Sequence, residues 1–367
     1  MSTPPKISRP QTVNEGLLQR SVRHQMLLQR VGNREAARIR KLLAQAHGDV
    51  LVQLERRLSL ITQRGYDLGP ATTQRLQDLA TGLGEMMSPV MKQAQLDLQR
   101  NLTDLAHQEA SFQAGLMQTL APVPVEVVLP AIATLQAVVT ARPFAGKLLS
   151  EWFDELGRRQ QSGVLQSVRL GIVEGETVPQ IARRLQGEVL DLTRRGAEAV
   201  ARTAVNHVST HAREATFAAN QDLISGVQWV STLDSRTCAE CQALDGQVFG
   251  VNEGRRPPAH VNCRCTTTPV LRSWRALGLN LARAPEGTRA SMDGQVPESL
   301  TYNAWLRGRV QAGDLGTVED ALGKTRAKLF AAGRLKVEQF VDQQGRTLTV
   351  QQLQAKEAEV FKQLRLS

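Results

Sequence analysis

Apolar residues recur at helical spacing through the first third of the chain. Between residues 12 and 64, leucine, isoleucine, valine and methionine return every three or four positions with no internal proline. The stretch 65–70 interrupts this pattern, which resumes over 71–120. The spacing therefore predicts one long helix, or two, over 12–64 and further helix over 71–120.

A second block of helical pattern follows the prolines at 122 and 124. Helical spacing extends from Pro130 to about Val173, and another helix is predicted to begin near Pro179, where the missing N–H is harmless. An alanine-rich helix is predicted over 197–220. Helices of this kind, polar outside and leucine-lined on one stripe, are expected to pack as an extended bundle or hairpin.

The hydrophobic period changes from helix to strand near residue 227. Val227, Trp229 and Ser231 alternate with their neighbours in the period of a half-buried strand, and 246–249 and 265–271 can be its partners. Further along, the sequence predicts helices at about 300–312 and 318–332, a hairpin of 336–341 with 346–350 that turns at Gln343–Gly345, and a helix over 350–366. The pattern predicts a mainly α protein with a small α+β domain after an elongated N-terminal helical region.

Basic residues exceed acidic ones, which gives a net charge of +10 and a pI of about 9.9. The excess is concentrated in 20–41 and 255–289, and it is mostly arginine, whose planar guanidinium suits phosphate. This excess predicts a sequence-independent contact with DNA, and solvated helix faces are the alternative. The candidate DNA-binding residues are Arg30, Arg34, Arg38, Arg255, Arg256, Arg264, Arg272 and Arg275.

The sequence predicts neither a membrane-spanning segment nor a secretory signal. No apolar run approaches eighteen residues, so no membrane span is predicted. The first residues contain no apolar core of a secretory signal.

All four cysteines lie between residues 238 and 265. Cys238-x-x-Cys241 is followed by His260-x-x-Cys263-Arg-Cys265, a set that can supply the closed tetrahedral shell of a structural zinc ion. Five candidates compete for four positions, and we favour Cys238 and Cys241 with two of the other three. A pair of disulfides or free thiols is the alternative. A catalytic zinc is disfavoured, because protein ligands fill every position.

The residues around the cysteines carry a more specific signal than their spacing. The run GVQWVSTLDSRTCAECQALDGQVF of 226–249 and the return PPAHVNCRC of 257–265 resemble the head morphogenesis domain of the phage Mu F-like minor head proteins. Upstream, Ala201-Arg202-Thr203 resembles the family's arginine-threonine helix, with Ala204 where the family usually carries Glu. The resemblance extends over about 175–355 and is specific in 226–265.

The resemblance implies a function in head morphogenesis without catalysis. The expected protein is a minor head protein of the virion, assembled in the host cytoplasm, that associates with the portal protein, other head proteins and packaged DNA. Self-association and ejection with the genome are further expectations. Four regions are predicted: an elongated helical region (1–121), a helical connector (122–174), a Mu F-like domain with the Cys/His knuckle (175–285), and a C-terminal helical and hairpin region (286–367).

Two alternatives stay open from the residues alone. A zinc-stabilised phage DNA nuclease would use His260 and Asn262 beside the cysteine pairs. A DNA-binding accessory protein would hold its partner with the helical N-terminal half instead.

Overall fold

A computed structural model describes residues 13–62, 70–121, 123–273, 276–277, 288–297, 299–342, 346–364 and 366. The described helices are α1 Val13–Thr62, α2 Pro70–Leu120, α3 Ile132–Thr140, α4 Leu149–Val173, α5 Val178–Leu185, α6 Asp191–Ala218, α7 Ala239–Leu244, α8 Tyr302–Gln311, α9 Leu315–Leu322, α10 Lys324–Ala331, α11 Val350–Lys356 and α12 Ala358–Gln363. The described strands are β1 Ile224–Val230, β2 Val248–Phe249, β3 Thr266–Leu271, β4 Thr288–Ser291 and β5 Gly294–Pro297. The prediction of a mainly α chain with a small α+β part is confirmed.

The two long N-terminal helices are confirmed almost to the residue. Both follow the leucine spacing, and the buried stripe of α1 includes Leu43, Leu54 and Leu58, each fully buried. Pro70 begins α2, and Pro89 lies inside it. Most of the predicted break at 65–70 lies outside the described residues.

The described chain divides into two compact units. The first comprises the residues up to 27, 109–130 and those from 210 onward, and the second comprises 28–108 and 131–209. Helices α1, α2 and α6 contribute residues to both units. The four regional boundaries drawn from the sequence remain a prediction.

A three-stranded antiparallel sheet in the first unit positions the cysteines. Its order is β2-β1-β3, with Gln228 opposite Val248 and Val230 opposite Thr266. Because β3 begins directly after Cys265, this register brings the returning cysteines next to Ser231 at the end of β1. The predicted strand pairing of this region is confirmed.

Three predicted helices are interrupted. The stretch 130–173 forms α3 and α4, separated by a turn in which Ala145 and Gly146 have φ of 46° and 81°. Pro143 and the left-handed backbone there are incompatible with a continuous helix. The stretch 318–332 begins earlier, at Leu315, and breaks at Gly323, whose φ is 77°. The last helix likewise divides around Glu357 into α11 and α12.

The C-terminal hairpin prediction is wrong in its first strand. Val337–Phe340 forms a 3-10 helix, and the pairing is limited to an isolated bridge between Val341 and Thr347. The predicted turn at 343–345 lies outside the described residues. A hairpin that was not predicted joins β4 to β5, and the Asp293-Gly294 step at its turn is the signal that could have found it.

None of the described helices combines the length and the apolar composition that a bilayer crossing requires.

Candidate metal centre

Helix α7 presents the first cysteine pair. Cys238 is its N-cap residue, and its Sγ accepts a hydrogen bond from the backbone N–H of Cys241 at 3.5 Å. The short helix therefore fixes both sulfur atoms on one turn, and Cys241 is buried while Cys238 is partly exposed. All four cysteines of the chain are described, and none forms a disulfide.

The returning segment brings its histidine and cysteines to the same place. The Nε2 atom of His260 lies 3.2 Å from Cys238 Sγ and 3.6 Å from Cys241 Sγ. The sulfur atoms of Cys241 and Cys263 are 3.9 Å apart. Two overlapping triplets result, Cys238 with Cys241 and His260, and Cys241 with Cys263 and Cys265, and within each the ligand atoms lie within 4.8 Å of one another. The five residues predicted from the sequence thus form one cluster that could hold a metal ion.

The orientation of the histidine ring suits a ligand. His260 Nδ1 lies 2.9 Å from the carbonyl oxygen of Val261, which can only accept, so Nδ1 carries the proton and donates it. This bond leaves Nε2 turned toward the sulfur atoms. Metal-binding histidines are commonly held by such a bond to the other ring nitrogen.

The electrostatics of the cluster favour thiolates at Cys238 and Cys263 beside a protonated His260, whereas hydrogen bonds with Cys238 and Cys263 raise the pKa of Cys241. The hydrogen bond with Cys241 is the main cause that lowers the pKa of Cys238 to about 4, against the effect of burial. Hydrogen bonds with Cys241 and then Cys265 hold the pKa of Cys263 far below its usual range. Hydrogen bonds with Cys238 and Cys263 raise the pKa of His260 to about 11. Without a metal, the imidazolium supplies the positive charge that the sulfur atoms require.

Cys265 has a second partner outside the cluster. Its Sγ donates to Ser231 Oγ at 3.6 Å, and that hydroxyl donates in turn to the carbonyl of Cys241 at 2.6 Å. The indole N–H of the fully buried Trp229 also donates to Ser231 Oγ at 3.0 Å. These hydrogen bonds through Ser231 connect the sheet to the cluster and fix the positions of Cys241 and Cys265.

Two ion pairs brace the loops on either side. Arg264 makes a bidentate pair with Asp234, with N···O distances of 2.5 and 2.8 Å. Asp245 accepts from Arg289 at 2.9 and 3.0 Å and from the backbone N–H of Ser231 at 2.8 Å. Arg289 also links the β4–β5 hairpin to this sheet.

The arginines predicted to bind DNA have unequal surroundings. Arg30, Arg34 and Arg38 are exposed along α1 at four-residue spacing, and only Arg38 has an acidic neighbour, Glu35 at 2.7 Å, among the ion pairs of the described residues. The remaining described candidates donate to protein acceptors, which are Glu240 for Arg255, Glu214 for Arg256, Asp234 for Arg264 and the Gln221 carbonyl for Arg272. Arg275 lies outside the described residues.

A second polar cluster in the first unit was not foreseen from the sequence. Glu109 is fully buried and accepts from Arg213 Nε at 2.9 Å, His24 Nε2 at 2.5 Å and Gln113 Nε2 at 2.8 Å. Arg213 also donates to Thr266 Oγ1 at the start of β3. Burial would raise the pKa of Glu109, but the charge of Arg213 and these hydrogen bonds lower it to about 2. The spacing of these residues offers no signal, since 104 positions separate Glu109 from Arg213.

These observations define a class: a mainly helical protein with a small sheet and a Cys/His cluster that could hold a metal ion. Residues 162–268 match the family described as Phage Mu protein F like protein. The match confirms the resemblance seen in the residues, and over this segment the chain is similar to the phage Mu F-like proteins. It supports a role in phage head morphogenesis, among the components of the phage head.

One curated relative is named for an enzymatic activity. The chain is 24% identical over 185 residues to the NAD(+)–arginine ADP-ribosyltransferase EFV of Enterococcus faecalis, which covers 46% of this chain and 36% of that protein. The chain therefore spans little more than a third of the length of this relative. No solved structure matches the chain.

Proposed function

We propose that this chain is a minor head protein that acts in phage head morphogenesis as a structural component. The observation that carries the proposal is the Mu F-like match over 162–268, because the whole Cys/His cluster lies inside it. On this proposal the chain assembles in the host cytoplasm, binds the portal protein and other head proteins, and remains in the virion at or near the portal vertex. Ejection with the genome is the later fate to be tested.

The metal proposed for the cluster is zinc in a structural role. Thiolate and imidazole ligands at bond lengths of about 2.3 and 2.0 Å around a tetrahedral ion lie about 3.8 Å apart for two sulfurs and about 3.5 Å for sulfur and nitrogen. The spacings of 3.9 Å for Cys241 and Cys263 and 3.6 Å for Cys241 and His260 are close to that geometry, and the 3.2 Å between Cys238 and His260 is shorter than it requires. When bound, the ion would neutralise the thiolates and hold the two arms of the knuckle together.

Four of the five candidates are assigned as ligands: Cys238, Cys241, His260 and Cys263. Cys265 is assigned to a supporting role, because its thiol already donates to Ser231. A shell of four protein ligands leaves no position for a reactive water. The site therefore supports folding and not hydrolysis.

The decisive test is made in infected cells. Removal of the chain should give defective heads, and complementation with the wild type should restore them. Mass spectrometry of purified particles and of proheads without DNA should find the chain in both. Particles that assemble and infect normally without the chain would overturn the proposal.

Absence of catalysis is part of the proposal and is tested separately. Plasmid DNA incubated with the protein and magnesium, manganese or zinc should remain intact, and DNA cutting that disappears in His260→Ala would support the nuclease instead. Incubation with NAD⁺ and free arginine should yield no ADP-ribosylarginine. Formation of that product would extend the activity named for the Enterococcus relative to this chain.

Contact with packaged DNA is proposed for the exposed face of α1. Arg30 and Arg34 are exposed, whereas the arginines of the knuckle region donate to acidic side chains or carbonyl groups. A guanidinium that is already paired has less to gain from a phosphate. The α1 face is therefore the better candidate for a sequence-independent DNA contact.

A further inference from the structure

The segment 123–130, which follows α2, belongs to no helix and to no sheet. It lies in the first unit, where Val127 is 9% exposed and Val125 packs in the same core as Phe217. Glu126 and Val128 are exposed on the other side. Over 125–128 this alternation is the side-chain period of a strand, and Leu129 beyond it is exposed; no strand of the described chain is paired with the segment.

The buried amide of Asn220 defines the direction of the backbone. Val128 N–H donates to Asn220 Oδ1 at 2.8 Å, and Asn220 Nδ2 donates to the carbonyl of Val128 at 2.9 Å. The side-chain amide of Asn220 can bond both backbone groups of Val128 only when the N–H and C=O of Val128 point in the same direction, as they do in an extended strand. The corresponding groups of Val127 and Leu129 then point to the opposite edge. In the part of the chain that the structure describes, those groups have no hydrogen-bond partner.

The two prolines of the segment leave this edge intact. Pro124 and Pro130 lack a donor, but each lies an even number of residues from Val128, so both belong to the edge that faces Asn220. The free edge retains the N–H groups of Val125, Val127 and Leu129. Unpaired donors and acceptors in this arrangement are a template for a further strand.

We propose that this edge pairs with the same segment of a second copy of the chain, antiparallel and centred on Val127. In that register Val125 lies opposite Leu129 of the second copy, so the half-buried valine covers a leucine that is 52% exposed. Glu126 lies opposite Val128 of the second copy. The pairing is self-complementary, as a two-fold interface requires.

The charge of Glu126 selects this register. The neighbouring antiparallel register, centred on Glu126, places Glu126 directly opposite Glu126 of the second copy. Like charges opposite each other destabilise a strand pair. The register centred on Val127 avoids that contact and keeps all three free donors paired. A second copy is thus the occupant that the segment fits.

The test measures the dimer dissociation constant of the full chain by sedimentation over a range of concentrations. Val128→Glu places a carboxylate opposite Glu126 twice per dimer and should raise the constant about fivefold, whereas Val128→Lys should lower it by about as much. Glu126→Lys combined with Val128→Glu again places opposite charges across the pair and should lower the constant about as much as Val128→Lys does. Val52→Glu, at a valine 63% exposed on α1, is the matched control and should change nothing.

Two results would overturn the proposal. One is a chain that is monomeric at every concentration. The other is a dimer whose constant does not follow the signs of the charges at 126 and 128, because such a dimer would use another surface.

Discussion

The two polar clusters of the first unit satisfy their charges in different ways. The Cys/His cluster brings sulfur and imidazole ligands together in an arrangement that could hold a metal ion, whereas the Glu109 cluster contains a permanent cation in Arg213 and is complete as folded. The first is partly exposed at Cys238 and His260, and the second is almost wholly buried. A local cluster can therefore depend on an ion from outside, while a cluster assembled over long range depends on the rest of the fold.

This difference predicts how each cluster fails. If the cluster binds the proposed zinc ion, loss of that ion should release only the two arms of the knuckle, because β3 remains held by its pairing with β1 and by Arg213. Loss of one partner in the Glu109 cluster should weaken the whole first unit, because an unpaired charge would stay buried among α1, α2, α6 and β3.

The largest effect is expected for the metal ligands. Structural zinc contributes about 10–16 kcal/mol of apparent binding free energy in finger peptides, and this becomes local folding energy. Replacing Cys238 and Cys241 together by Ser should abolish stoichiometric zinc, measured by elemental analysis, and should make proteolysis within about 235–270 fast. Circular dichroism should change little, since the long helices do not depend on the ion.

Cys265→Ser is the matched control for the metal prediction. Serine retains a donor toward Ser231, so this variant should keep one zinc ion per chain. Elemental analysis that finds no zinc in the wild-type protein would show that the cluster does not bind zinc. Loss of zinc in Cys265→Ser would show that the ligand set includes this residue.

The second prediction concerns the buried ion pair. Arg213→Met leaves Glu109 without its main cation, and breaking a buried pair costs about 3–5 kcal/mol. Urea denaturation should show a lower free energy of unfolding by about that amount. The double variant Glu109→Gln with Arg213→Met should lose less, because no unpaired charge remains. Equal losses in the single and double variants would mean that packing and not charge dominates here.

The third prediction is the pH dependence that Glu109 confers. Its folded pKa of about 2 lies below the ordinary value of 4.5, so its stabilising contribution is complete above pH 4.5 and is lost as the pH falls toward 2. The shift corresponds to about 3 kcal/mol. The difference in unfolding free energy between wild type and Glu109→Gln should therefore shrink over this range. A difference that is constant between pH 6 and pH 3 would contradict the assignment.

The contrast between the clusters also explains what the sequence could predict. The zinc candidates are separated by fixed short spacings between Cys238 and Cys265, and such spacings leave a signal in the sequence. The leucine period of α1 and α2 and the alternation around Trp229 are equally local. The Glu109 cluster depends on three helices and a strand meeting, which no local pattern encodes. Val337 and Phe340 of the 3-10 turn are buried in the same core as Trp305 and Phe330, so alternation alone misassigned this turn. The break at Gly323 follows from the left-handed backbone of that glycine, which the helical period does not reveal.

The smallest effect on stability is expected for substitutions of the exposed arginines of α1. The same substitutions test whether this part of the surface binds DNA. Substitution of Arg30, Arg34 and Arg38 by Gln removes exposed charges, and unfolding free energy should change by less than about 0.5 kcal/mol per site. If this face binds duplex DNA, the slope of log affinity against log salt should become shallower by about 0.9 for each lost phosphate contact. The matched variant Arg255→Gln with Arg272→Gln should leave the slope unchanged, because those guanidiniums already donate to Glu240 and to the Gln221 carbonyl. A slope that is unaltered in both variants would show that both faces are solvated and do not contact DNA.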